Sequence, residues 1–225
     1  MSGDEAIDFR PIAETPPHEA VVCVTEGLVG AHVGIWYEDA NADRYALHQA
    51  WHCQLLDEAC DEHSFDDGGW VVPSLDENET RDLGTAARKV ARSRGDGRVP
   101  YGFARRNARF RDDGSLDLAD SSGLNCSALV MMVFELASVA LLDESSWAGD
   151  RPPKRDAEDR DAREKLLEKL ATSLSSDEQK KLRSEFAEPR VRAEEVAAAS
   201  GMSARPVRFE DCAPVGAALL EQLAG

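Results

Sequence analysis

Runs of apolar residues predict a buried strand and a β-hairpin near the start of the chain. The predicted strands are AVVCVTE (20–26), HVGIWYE (32–38) and RYALHQAW (44–51). Valine, isoleucine and aromatic residues fill them, as is typical of strands. Asn41 and Asp43 lie between the last two strands and favour a turn there. Residues 1–19 are polar and acidic, and we expect them to be flexible.

The hairpin carries two histidines, one on each arm. Because side chains alternate across a strand, His32, Gly34 and Trp36 share one face of the first arm. His48 lies near the middle of the returning arm. The two imidazoles can therefore approach each other, although the sequence does not fix the register of the two arms.

Residues 53–122 have a weaker pattern. The polar stretch 53–69 predicts a loop with a short helical turn, and WVVPSL (70–75) predicts a strand in which Pro73 indicates an edge position. The amphipathic segment 77–94 predicts a helix that the glycines after it end. The charged stretch up to Ser122 predicts irregular structure.

A long apolar segment, GLNCSALVMMVFELASVALL (123–142), predicts a helix buried on nearly all sides. From 128 to 142 the strongly polar residues are Glu135 and Ser138. The segment is shorter than the roughly 18 apolar residues that a membrane-spanning helix needs. Cys126 stands in its first turn.

The last third of the chain is rich in charge and helical patterns. Residues 143–161 are polar and predict a linker, and Leu166, Leu167, Leu170 and Leu174 form the apolar stripe of a helix after it. Further helices are predicted from Ser176, where Gln179 completes a capping box, over 192–200 and over 213–225, with a strand at 204–210. The predicted fold is α+β: a small antiparallel sheet packed on the buried helix, with a helical C-terminal extension.

Charge and cysteine content narrow the class of partner. Residues 1–150 hold 12 Lys and Arg against 28 Asp and Glu, a net charge of −16 out of −17 for the chain. This acidity argues against nucleic acid and anionic membranes and favours a neutral or basic peptide or protein substrate. Five irregularly spaced cysteines, with no signal peptide or membrane span, indicate a reducing compartment, and we expect a cytoplasmic protein. The oligomeric state is not readable.

Cys126 and His32 have residue types and positions suited to nucleophilic catalysis. A helix N-terminus favours a thiolate, and its N–H groups can bind the oxyanion of a tetrahedral intermediate. A histidine within reach takes the proton, and a third polar group holds its ring. His32 and His48 can fill these parts if the hairpin packs beside the helix start. Otherwise Cys126 is a buried core thiol, as free cysteines commonly are.

These residues resemble a known family. The segment AHVGIWYEDANADRYALHQA (31–50) looks like the histidine hairpin of permuted NlpC-type papain-like proteins, which include the lecithin:retinol acyltransferase relatives and the bacterial YiiX-like group. LNCSALVMMVF (124–134) is similar to the family's nucleophile helix, and VPYGF (99–103) to a stretch whose tyrosine lies near the site.

The resemblance implies a papain-like catalytic domain over 20–146, with the charged linker and helical segment 147–225 partly packed on it. It implies a cysteine peptidase or amidase that cleaves an amide or isopeptide bond through an acyl-cysteine. The implied nucleophile is Cys126, the base His32 and the residue that orients the base His48, with Gln49 or His52 as alternatives. Site-lining or oxyanion-binding residues are expected at Tyr101, Asn125 and Ser127.

Three alternatives remain from the sequence. The cluster of His48, His52, Cys53, Cys60 and His63 has ligand types that suit zinc, but its spacing fits no standard finger, and we expect neither a metal nor a cofactor. A binding module could keep the fold without turnover. An acyltransferase would share the acyl-cysteine and differ in the acceptor. Cell-wall cleavage would require delivery outside the cell.

Overall fold

The three apolar runs near the N-terminus form the centre of an antiparallel sheet. The computed structural model describes residues 7–12, 19–60, 65, 67–149 and 152–224. These residues have an α+β fold with a six-stranded sheet of order β1-β6-β2-β3-β4-β5. Its strands are β1 (Phe9–Pro11), β2 (Ala20–Glu26), β3 (Ala31–Glu38), β4 (Arg44–Trp51), β5 (Gln54–Ala59) and β6 (Gly69–Val71). The predicted hairpin of β3 and β4 is confirmed, with Ile35 opposite Leu47.

Strand β5 corrects the prediction of a loop with a helical turn. Leu55 is buried, but polar residues follow it where an apolar pattern would be expected. They are accommodated by hydrogen-bonding partners on other strands of the sheet: Tyr37 Oη of β3 donates to Asp57, and Glu58 bonds a histidine of the neighbouring strand β4. Cross-strand polar pairs thus take the place of the apolar periodicity that sequence analysis relies on.

The prediction of an edge strand at Pro73 was wrong. Strand β6 ends at Val71, before the proline, and it lies between β1 and β2. The segment that covers its outer edge is Phe9–Pro11, which falls within the stretch expected to be flexible. Two short strands, β7 (Arg109–Phe110) and β8 (Leu116–Asp117), form a separate hairpin in the region predicted to be irregular.

Seven α-helices are formed by the part of the chain that the structure describes. They are α1 (Glu77–Ser93), α2 (Cys126–Leu136), α3 (Glu144–Gly149), α4 (Pro153–Leu170), α5 (Ser176–Ser184), α6 (Ala193–Gly201) and α7 (Phe209–Leu223). None of them is long and apolar enough to cross a membrane.

The apolar helix α2 packs on β3 and β4 of the sheet and also contacts the helices α1 and α6. It is buried from Ser127 to Phe134, as its composition predicts. It is shorter than the apolar run, because the chain turns at Ser138, which has a positive φ of 63°. Beyond the turn Leu142 pairs with Val207 in an isolated bridge, which is all that forms of the strand predicted at 204–210.

The C-terminal third is more helical than its charge suggests. Most of the predicted linker is taken up by α3 and the first turns of α4. The capping box of α5 lies one residue earlier than predicted, with Ser175 as N-cap and Glu178 as its partner. Helix α6 contacts β2, β3, α2 and α7, so α6 belongs to the main core, whereas the buried leucines of α4 and α5 form a separate cluster.

Candidate active site

Cys126 is the first residue of α2, and the chain before it is fixed by Asn125. The Asn125 Oδ1 atom accepts a hydrogen bond from the Ala128 N–H at 2.9 Å, and Nδ2 donates to the Gly102 carbonyl at 3.1 Å. Asn125 is therefore the N-cap that holds the helix start. The N–H groups of Cys126 and Ser127 belong to the first turn, which has no carbonyl partner within the helix.

The thiol of Cys126 forms a hydrogen bond with the imidazole of His32, on β3. Burial raises the pKa of Cys126, but the charge and hydrogen bond of His32, the Val33 N–H and the charge of Arg190 outweigh it and lower the pKa overall. Cys126 is nevertheless partly exposed. The lowered pKa favours a thiolate at Cys126 that is accessible from the surface.

His48 is the partner of His32 on the far side of the ring. His32 Nε2 and His48 Nδ1 lie 2.8 Å apart, which leaves His32 Nδ1 for the thiol. Gly34 makes room for this approach: a Cβ atom at that position would lie 2.9 Å from His48 Cβ and 2.9 Å from Phe65 Cζ. The absence of a side chain at Gly34 is thus required by the packing of the two rings around it.

Glu58, on β5, continues the chain of hydrogen bonds. Its Oε2 atom lies 3.2 Å from His48 Nε2. A carboxylate only accepts, so His48 donates from Nε2, and its Nδ1 accepts from the Nε2–H of His32. Burial first, and then the charge of His32, lower the pKa of His48 to about 4, against the opposing effect of Glu58. His48 is therefore neutral at pH 7, and this tautomer fixes the orientation of His32.

Phe65 covers the two imidazoles. Its ring stacks on His32 with centroids 5.4 Å apart, and it meets His48 edge-on at 5.2 Å. Phe65 is itself buried, so it shields both rings from water on this side. Shielding strengthens the hydrogen bonds between them, because the local dielectric constant is low.

The other predicted site residues lie nearby with different roles. Tyr101 and Ser127 line the same cavity as Cys126. Burial, followed by the charge of Cys126, raises the pKa of Tyr101, so its hydroxyl stays protonated. Gln49 Nε2 donates to the carbonyls of Trp51 and Val99, and His52 Nδ1 accepts from the Tyr101 N–H. Of the three residues considered as partners of His32, the structure places His48 beside it.

A cavity of about 640 Å³ opens over Cys126. Gly27, Leu28 and Val29 form one wall, and Trp51 and Tyr101 form another. The third wall comes from the C-terminal segment, through Leu166, Arg190, Val191 and Ala193. Cavities of this size hold small-molecule or peptide ligands.

The buried carboxylate of Glu185 ties this segment to the loops around Cys126. Its Oε2 atom accepts from the N–H groups of Phe103 (2.8 Å) and Ala104 (3.2 Å), and Oε1 accepts from that of Ser122 (3.0 Å). The buried Arg163 donates to the Glu185 carbonyl and to two carbonyls after it. Glu185 therefore holds both the segment that follows Tyr101 and the segment that leads into α2.

Glu58, Phe65, Glu185 and Arg190 were missed in the sequence. Glu58 had a usable signal: in a paired strand it lies opposite Ala46, and so diagonal to His48 on the same face. That signal requires β5 to be recognised as a strand. The other three come from loops or distant segments and carry no local pattern.

The cluster weighed as a zinc site is only partly described. Across the described residues, no group of three or more His, Cys, Asp or Glu side chains is placed to hold a metal ion. His48 instead uses both ring nitrogens on His32 and Glu58. His63 lies outside the described residues.

The chain matches no protein-family model, no curated protein and no solved structure. The resemblance to permuted NlpC-type proteins therefore stays a prediction, and the geometry of the site is what bears on function.

Proposed function

We propose that this protein is a cysteine hydrolase with a permuted papain-like fold, which cleaves an amide or isopeptide bond of a peptide or protein. The observation that carries this proposal is the continuous hydrogen-bonded series of Cys126, His32, His48 and Glu58 beside an open cavity. A cysteine that only filled the core would not require a neighbouring imidazole that is itself positioned by two further groups. The order of the chain, with the base before the nucleophile, supports the permuted arrangement.

The reaction follows from the positions of these groups. The thiolate of Cys126 attacks the scissile carbonyl carbon, and the first-turn N–H groups of α2 bind the resulting oxyanion. His32 gives its Nδ1 proton to the leaving amine as the C–N bond breaks, which leaves a thioester on Cys126. His32 then takes a proton from water, which attacks the thioester and releases the acid and the thiolate. Another acceptor in place of water would give acyl transfer.

The five cysteines are all free, which suits a reducing compartment, so a cytoplasmic location is part of this proposal.

Alkylation by iodoacetamide tests the proposal without a known substrate. We expect Cys126 to react at neutral pH far faster than Cys53, which is also partly exposed but whose pKa is raised, chiefly by burial. Mass spectrometry of the labelled protein measures both rates. Cys126→Ala should abolish the fast label and Cys53→Ala should leave it.

His32→Ala should slow the labelling of Cys126 at pH 7 by about tenfold or more, because the thiolate loses its counter-ion. Equal rates for Cys126 and Cys53 in the wild-type protein would contradict the proposal and favour a binding module. If the fast label is present, a screen of amide substrates with and without added amine acceptors separates hydrolysis from acyl transfer.

A further inference from the structure

Arg190 is the one Lys or Arg side chain among the described residues that line the cavity over Cys126. It is partly buried and lies between α5 and α6. Its guanidinium makes no hydrogen bond or ion pair with any part of the chain that the structure describes. Two residues away, Arg192 behaves differently, since it binds both Asp159 and Glu158.

An unpaired arginine is unexpected in this chain, which has 43 Asp and Glu against 26 Lys and Arg. A guanidinium presents a rigid fork of N–H donors that matches a carboxylate and is most effective when partly removed from water. The guanidinium of Arg190 therefore offers hydrogen-bond donors for which the described part of the chain supplies no acceptor.

Arg190 lines the same cavity as Cys126 and Tyr101. Its charge counts among the influences that lower the pKa of Cys126, after burial, which raises it, and the stronger effects of His32. It also opposes the rise in the pKa of Tyr101 that burial and Cys126 cause. The guanidinium thus faces the same space as the thiol and the phenol.

The cavity also has two carboxylates, Glu26 and Asp67. Both are exposed, so water screens their charge more than it screens the charge of Arg190. The net charge of the chain suggested a neutral or basic substrate, but charge acts locally at the site of reaction, and Arg190 is the Lys or Arg among the described residues that line this cavity.

We propose that Arg190 binds a carboxylate of the substrate, so that the preferred substrates are amides with a carboxylate group close to the scissile carbonyl. This inference rests on the proposed cysteine hydrolase function and narrows its substrate class. The carboxylate can be a side chain or a chain terminus, since the guanidinium recognises the same group in both.

The test compares two alkylating reagents of nearly equal size on Cys126. Iodoacetate carries a carboxylate where iodoacetamide carries a neutral amide. Both consume the same thiolate, so the ratio of their rates cancels any change in the pKa of Cys126. We expect Arg190→Gln to lower the ratio of iodoacetate to iodoacetamide rates by about tenfold, and Arg190→Lys to lower it less because the charge remains.

Arg92→Gln is the matched control, since Arg92 is an exposed arginine outside the cavity and its removal changes the net charge by the same amount. Its ratio should stay within about twofold of wild type. A ratio that falls equally in Arg190→Gln and Arg92→Gln, or in neither, would overturn the inference. The iodoacetamide rate alone reports on the cysteine hydrolase proposal, so the two failures are distinguishable.

A second measurement identifies the source of the carboxylate. N-acetylglutamine has a terminal carboxylate and a side-chain amide, and N-acetylisoglutamine has the reverse. We expect one of them to slow the reaction of Cys126 with iodoacetamide in the wild-type protein and to lose this effect in Arg190→Gln. Protection by neither isomer would count against the inference as directly as an unchanged ratio.

Discussion

Glu58 Oε2 lies 3.2 Å from His48 Nε2, and this contact joins a buried imidazole to a partly exposed carboxylate. The side chain of His48 is 2% exposed and that of Glu58 is 28% exposed. Strand β5, which carries Glu58, is the last strand of the sheet. The orientation of a buried ring thus depends on a group near the rim of the fold.

Removal of Glu58 should weaken the nucleophile from a distance. In Glu58→Ala the His48 ring loses the acceptor that fixes its tautomer, so we expect the rate of iodoacetamide labelling of Cys126 at pH 7 to fall by about tenfold. In Glu58→Gln the labelling rate should fall less, because the amide oxygen can still accept the hydrogen bond from His48 Nε2. Asp57→Asn is the control on the same strand, because Asp57 accepts a hydrogen bond from Tyr37 and not from His32 or His48. A similar fall in the labelling rate of that variant would contradict the role assigned to Glu58.

Gly34→Ala should displace the histidine pair. The added methyl would lie 2.9 Å from both His48 Cβ and Phe65 Cζ, and 3.0 Å from the Leu47 carbonyl oxygen. We expect a loss of about 1–3 kcal/mol in the free energy of unfolding, measured by urea denaturation, together with slower labelling of Cys126.

Gly84→Ala provides the comparison for that substitution. Gly84 lies in α1, and its nearest neighbour to an added Cβ is the Arg88 Nη1 atom at 3.6 Å. Alanine in a helix interior is favoured over glycine by about 1 kcal/mol, so this variant should be as stable as wild type or more so. If both alanine variants behave alike, crowding at Gly34 is not the cause.

Glu185→Gln should destabilise the protein although it changes no volume. At least one of the three N–H groups that donate to Glu185 would then meet an amide NH₂ group in place of an oxygen. A buried donor without an acceptor costs about 1–3 kcal/mol. Chemical denaturation measures the change. Glu188→Gln, at an exposed site 3.8 Å from the Arg106 Nε atom, should change stability by less than about 1 kcal/mol.

The free energy of unfolding should decrease as the solution becomes more acidic, because of His48. Its pKa is about 4 in the folded protein, below the usual value near 6.5, so between these values the unfolded chain binds more protons. The free energy of unfolding should therefore decrease as pH falls from about 6.5 to about 4, by up to 1.4 kcal/mol per pH unit from this residue. In His48→Gln this contribution should disappear from the difference between urea unfolding at pH 7 and pH 5; an unchanged difference would contradict the assignment.

Local sequence patterns predicted the parts of the fold in which buried positions recur at the spacing of a strand or a helix. The hairpin of β3 and β4, the helix α1 and the apolar helix with Cys126 at its start follow from such patterns. The patterns placed His32 and His48 on paired strands but did not fix the register that brings their rings together. Strand β5 escaped prediction because Asp57 and Glu58 are satisfied by hydrogen bonds across the sheet. Glu185 escaped because its partners lie far away in sequence, and Arg190 escaped because it lies in a loop between α5 and α6; no periodicity records such positions.

The hydrogen bonds that Glu185 accepts from the segments at Phe103 and Ser122 also affect the order in which the site can form during synthesis. During synthesis the sheet and α2 emerge before the carboxylate that fixes the loops beside Cys126, and before Arg190. Domains generally fold as units. Because α6 belongs to the same core as the sheet and α2, we expect the thiol, both histidines and the third wall of the cavity to come together only late in translation, after the C-terminal segment has emerged.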